Sequence, residues 1–102
     1  MGNRDTRYDL IEPMMSQGKI VSFTDVFKYI KKTVVAIDLG KKVDRFNTLM
    51  SRVEEFMLSD LFIIAGFFEI DEDDIIRLIM IDYKRNKEDI RMSSKFSEYH
   101  NH

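Results

Sequence analysis

The apolar and polar positions follow a helical period nearly throughout the chain, and no run alternates with the period of two that a strand requires. Leu10, Ile11, Met14 and Met15 predict a short first helix with Pro13 in its opening turn and Gly18 as its stop. Residues 1–7 are polar and are expected to fray. Ser22, followed three residues on by Asp25, has the form of a capping box; it opens a second helix with Phe23, Val26, Phe27 and Ile30 on one side. Thr33 is the candidate cap of a third helix. Gly40 is its end, because glycine closes a helix in the left-handed conformation at little cost. A fourth helix is predicted over 43–52, a fifth over 58–68, and a sixth from Asp71, whose acidic first turn suits the positive end of a helix dipole. After Tyr83 the apolar period lapses, so residues 84–102 read as a fraying helical extension or a disordered tail. The expected division is an N-terminal extension over 1–21, a helical domain over 22–83, and that tail.

The fifth helix carries more apolar surface than one face can use. Leu61, Ile64, Ala65 and Phe68 suffice for a core stripe, which leaves Phe62, Ile63 and Phe67 over; the sixth helix repeats the surplus with Ile76, Ile79, Met80 and Ile81. A helix apolar on every side must be covered on every side. Either the N-terminal helix covers it, or a second copy does, in a homodimer through Phe62, Ile63, Phe67, Ile76 and Met80.

Composition narrows the chemistry. The 102 residues contain no cysteine, which removes disulfides and thiolate metal sites. No apolar run approaches the length of a membrane span, and no cationic start precedes an apolar stretch, so the expectation is a cytoplasmic, single-domain chain. The net charge of −2 conceals a segregation. Residues 28–53 hold seven lysines and arginines against Asp38 and Asp44, a local +5, whereas residues 54–76 hold eight acids and no base, a local −8. The basic block could face a polyanion while the acidic one faces away.

Within the basic block, "TVVAIDLGKKVDRFNTLM" at 33–50 has the residues that two tightly crossed helices need. Ala36 is small where the helices approach, and Val35 and Leu39 anchor the first helix. Gly40 permits the turn, and Phe46 and Leu49 return the second helix to the core. From Ala36 the spacings are four to Gly40, ten to Phe46 and thirteen to Leu49.

These spacings resemble the helix-turn-helix of the lambda-repressor-like (Cro/C1, XRE) family, and "LSDLFIIAGFFEIDEDDI" resembles that family's following helix, so that about residues 22–79 are covered. The stretch "FTDVFKYIKKTVVAIDLG" is also similar to small helix-turn-helix proteins of Bacteroidetes. The chain departs from the family pattern at Lys32, Lys41, Asp44 and Phe46. The resemblance implies an all-α, five- to six-helix DNA-binding fold and a non-enzymatic transcriptional regulator acting on double-stranded DNA. By the matched positions, Lys42, Asp44, Arg45, Asn47 and Thr48 would read base edges. Lys28, Lys31, Lys32, Thr33, Lys41 and Arg52 would hold phosphates. The rival expectation is a protein–protein interaction module that keeps the fold without DNA.

Other coincidences carry little. "MGNRDT" satisfies a myristoylation pattern. "HNH" at 100–102 and "DEDD" at 71–74 spell the names of nuclease families whose metal-binding residues come from separated segments. Residues 71–74 also lack the glycine and distal glutamate of a calcium loop. No catalytic constellation, cofactor, metal or small-molecule site is legible.

Overall fold

A computed structural model describes residues 5–100, with side chains through Glu88. The ends of the chain that bear the myristoylation-like and "HNH" patterns therefore lie, in whole or in part, outside the described residues. Every described element is helical. A 3-10 turn at Thr6–Leu10 leads into α1 (Ile11–Ser16), followed by α2 (Phe23–Val26), α3 (Lys32–Leu39) and α4 (Val43–Ser51). A second 3-10 turn at Val53–Glu55 precedes α5 (Leu58–Phe68) and α6 (Glu72–His100).

The first element corrects the expected fraying for residues 5–7, the rest of that stretch lying outside the described residues. The carboxylate of Asp5 accepts from the Arg7 N–H and caps a turn that buries Tyr8 completely. Tyr8, Ile11 and Ile20 belong to the same core as the helices that follow, so residues 5–20 are an integral layer and not an appended extension. The Tyr8 ring stacks on Phe67 at 5.5 Å and leans on Phe68 at 5.6 Å, and its hydroxyl donates to Asp38 Oδ2 at 2.6 Å. One side chain thus joins α3 to α5.

Three helices end in the same way. The N–H groups of Gly18, Gly40 and Glu69 close back on carbonyls three residues earlier, and the following residues donate to carbonyls five earlier. Gly18 and Gly40 take the required positive φ freely, whereas Glu69 is a non-glycine at φ 56°.

At the centre, Phe23, Phe27, Phe46 and Phe56 form a closed circuit of edge-to-face rings with centroids 5.2–5.8 Å apart. This accounts for the bulk of Phe46: α4 meets aromatic rings from α2 and from the segment before α5, and a smaller residue would leave the circuit open. The buried stripe of α6 contains one acid. Asp82, 5% exposed, accepts from both the N–H and the hydroxyl of Thr24 at 2.9 and 3.0 Å. It therefore caps α2 from across the core.

Candidate nucleic-acid interface

The α3–α4 pair is positioned by the residues that the spacing singles out. Val35 and Ala36 are fully buried, Leu39 is half-buried, and Gly40 stands at φ 79°, ψ 23°. A β-carbon there would meet no neighbour, so the demand for glycine at this turn is conformational and not one of space. Phe46 and Leu49 are buried, and this fixes the rotation of α4 about its axis. Lys42, Asp44, Arg45, Asn47 and Thr48 are in consequence all exposed. They occupy the leading end and outer face of the helix, with Lys42 at the N-cap.

Two of these residues are conditioned by their own helix. Asp44 lies in the first turn of α4, where a negative charge is favoured by the exposed N–H groups. The Thr48 hydroxyl donates to the Asp44 carbonyl at 3.0 Å, so its hydrogen is engaged while its oxygen and methyl remain available.

The expected phosphate set divides. Lys31, Lys32 and Thr33 are exposed at the start of α3. Thr33 is not the cap, however: the helix begins at Lys32, the N-cap position is Lys31, and no side chain caps it. Thr33 sits two residues past the cap position, too far in for its hydroxyl to reach the donors a cap serves. Lys41 is a second correction. Its ammonium is 3.1 Å from Asp60 on α5, with both side chains three-quarters or more covered, so it ties the turn to the next helix and does not face solvent. A lysine can be three-quarters covered at this turn because its charged head finds an acid. Lys28 and Arg52 are about two-thirds exposed but lie beside Asp25 at 3.2 Å and Glu55 at 3.0 Å, pairs of the weak surface kind. Among the described residues, Lys31, Lys32, Lys42 and Arg45 enter no ion pair.

The N-terminus of α2 is built differently. Ser22 Oγ accepts from the Asp25 N–H, while the Asp25 carboxylate accepts from the N–H groups of Val21 and Ser22 at 3.0 and 3.2 Å. These backbone donors, the Val21 N–H foremost, hold the Asp25 carboxyl below its usual value.

Sequence reasoning missed Tyr8, Asp82 and the Lys41–Asp60 pair. Asp82 did leave a signal: in "IIRLIMIDYK" it continues the buried 75, 78, 79 stripe, and an acid in that register must find donors.

Among the described residues no cluster of acids and histidines could hold a metal ion, and no helix is long and apolar enough to cross a membrane. No protein-family model, curated protein or solved structure matches the chain. What the coordinates define is, among the described residues, an all-helical fold in which the packed α3–α4 pair presents an exposed, cation-bearing end.

Proposed function

We propose that the chain is a lambda-repressor-like DNA-binding protein, non-enzymatic and acting in transcriptional regulation, whose α4 enters the major groove of a duplex. The observation that carries this reading is the outward presentation of Lys42, Arg45, Asn47 and Thr48 on a helix whose Phe46 and Leu49 are held in the core. Arg45 suits the O6 and N7 acceptors of guanine, Asn47 the N6 and N7 edge of adenine, Thr48 a thymine methyl, and Asp44 a cytosine amine. Lys31 and Lys32, free of acids at the uncapped start of α3, suit a backbone phosphate, with Thr33 beside them. Lys28 and Arg52 can exchange their weak partners for phosphates. Lys41 has no such part, being committed to Asp60.

The test is a titration of a random-sequence duplex at two salt concentrations. Four or five phosphate contacts predict that log affinity falls against log salt with a slope of about −4. Lys32→Ala should lower the magnitude of that slope by about 1, whereas Arg45→Ala should weaken the preference among sequences. Absence of binding at low salt overturns the reading. A second reading, an interaction module without DNA, is favoured by Ile37, 65% exposed on α3, and by the negative charge of Asp44 at the leading end of α4.

A further inference from the structure

We propose that a groove between the trailing end of α4 and the middle of α6 is a further phosphate site, in which Lys87 joins Arg52 on the backbone of the duplex that α4 reads. The inference rests on the DNA-binding reading and extends it to a helix that the residue spacing leaves out of the interface.

The groove exists because α6 outlasts its own core stripe. Ile75, Leu78, Ile79 and Asp82 are buried, and the helix runs on to His100 although the apolar period lapses after Tyr83. The Val53–Glu55 turn packs on α6 and brings the end of α4 opposite the turn that follows the stripe. At 100° per residue, Asn86 continues the stripe, with Tyr83 and then Lys87 along one edge of it. With Ser51, Arg52 and Glu54 they bound a cavity of about 240 Å3. Tyr83 and Asn86 are half-buried and the other four are exposed, so the cavity is an open trough through which a chain can pass.

Its walls hold donors that the fold leaves unused. Arg52 approaches Glu55 with Nε at 3.0 Å and is 65% exposed, so its guanidinium has further N–H groups for a second anion. Lys87 enters no ion pair among the described residues, and Glu54, the one acid of the trough, pairs with neither cation. The Tyr83 hydroxyl and the Asn86 amide have no hydrogen-bond partner among the described residues, and neither is sealed from solvent. Lys84 and Arg85 are also free of ion pairs, so a single turn of α6 carries three unpaired cations. A phosphate group uses this set well: a guanidinium binds two of its oxygens, an ammonium adds charge, and neutral donors take what remains.

The position favours a duplex backbone over a free phosphate ester. Arg52 is the C-cap of α4, about 15 Å along the helix from Lys42 at 1.5 Å per residue. A major groove is only about 12 Å wide, so a helix whose leading end is inserted in it reaches the flanking backbone with its trailing end. Lys31 and Lys32 serve the leading end, and the trough stands at the other.

The duplex titration at several salt concentrations tests the proposal. Lys87→Ala should lower the magnitude of the salt slope by about 1 and weaken binding to all sequences alike. Lys87→Arg should keep the slope. Arg85→Ala removes the same charge from the same turn, but about 160° away around the helix, and should change the slope far less. Equal effects of Lys87→Ala and Arg85→Ala overturn the proposal, because they reduce the trough to a diffuse positive field. A wild-type slope retained in Lys87→Ala overturns it too and leaves the reading of α4 intact, whereas absence of wild-type binding at low salt removes both. Thymidine monophosphate is the second probe. If it shifts the Asn86 side-chain amide resonance at millimolar concentration while Lys87→Ala leaves the duplex slope unchanged, the trough belongs to a free phosphate ester and the backbone assignment falls.

Discussion

α2 and α3 are neighbours in sequence and opposites in how they begin. The four residues of α2 receive Ser22, Asp25 and, from α6, Asp82, so that two carboxylates and a hydroxyl converge on the N–H groups of one turn. The eight residues of α3 begin at Lys31 and Lys32 with no capping side chain and no acid in the first turn. α4 also begins at an uncapped lysine, Lys42, but carries Asp44 in its first turn. A helix start leaves up to four backbone donors without intrahelical partners, and capping residues satisfy them cheaply. The sequence meets most of that demand at α2, where the N–H groups of Ser22, Thr24 and Asp25 all find side-chain acceptors and the helix is too short to stand alone. At α3 it sets two cations beside open donors, an arrangement that stabilises the fold less but suits an external anion.

The largest effect should come from removing the long-range cap. Asp82→Ala leaves the Thr24 N–H and hydroxyl without their acceptor and should cost about 2 kcal/mol in chemical denaturation. Asp82→Asn retains one acceptor oxygen and should cost roughly half as much. If Asp82→Ala costs nothing, water replaces the carboxylate and α2 is held by its rings alone.

Next comes the exchange that the comparison implies. Lys31 has the extended backbone of an N-cap, φ −71° and ψ 141°, so Lys31→Asp should supply α3 with the cap that it lacks and stabilise the protein by about 1 kcal/mol. The same substitution should weaken duplex binding by about tenfold at low salt, since it replaces a phosphate-seeking cation with an anion. Thermal melting and the duplex titration, run on one preparation, read both. A stability gain with unchanged DNA affinity would detach the start of α3 from the phosphate assignment.

The same pair of helix starts shows what was legible in the sequence. The Ser22–Asp25 box, the closing Gly40 and the limits of α5 were readable because each depends on residues within four positions, where spacing alone decides geometry. The expected cap at Thr33 failed by two residues. The sequence offers a hydroxyl near the start of α3, but nothing local says that the turn after Ile30 resumes the helix at Lys32. Asp82 reaches Thr24 across 58 positions and Tyr8 reaches Asp38 across 30, and such partners are set by how the layers stack. The candidate interface divides in the same way. The exposure of Arg45, Asn47 and Thr48 follows from the burial of Phe46 and Leu49 and could be read from period alone, whereas the loss of Lys41 to Asp60 required the packing of α5 against the turn.

The smallest effect lies at Lys28, where the capped helix meets the basic block. Its ammonium is 3.2 Å from Asp25 but 68% exposed, so Lys28→Ala should cost only a few tenths of a kcal/mol at low ionic strength. Its pH dependence identifies its origin. Asp25 titrates below its usual value of 3.8 when folded, first because the Val21 N–H donates to it, with Lys28 a lesser cause. A depressed folded value means that the carboxylate's contribution is present above the unfolded value and is lost as pH falls through the folded one. Wild type and Lys28→Ala should therefore differ slightly in melting temperature near neutrality and converge in acid, once the pH has fallen through the depressed Asp25 value and the carboxyl is protonated in both. A difference that persists in acid would mean that Lys28 acts by packing its stem and not by its charge. The start of α2 would then owe its stability to backbone donors and Asp82 alone, which makes the contrast with the lysines of α3 sharper still.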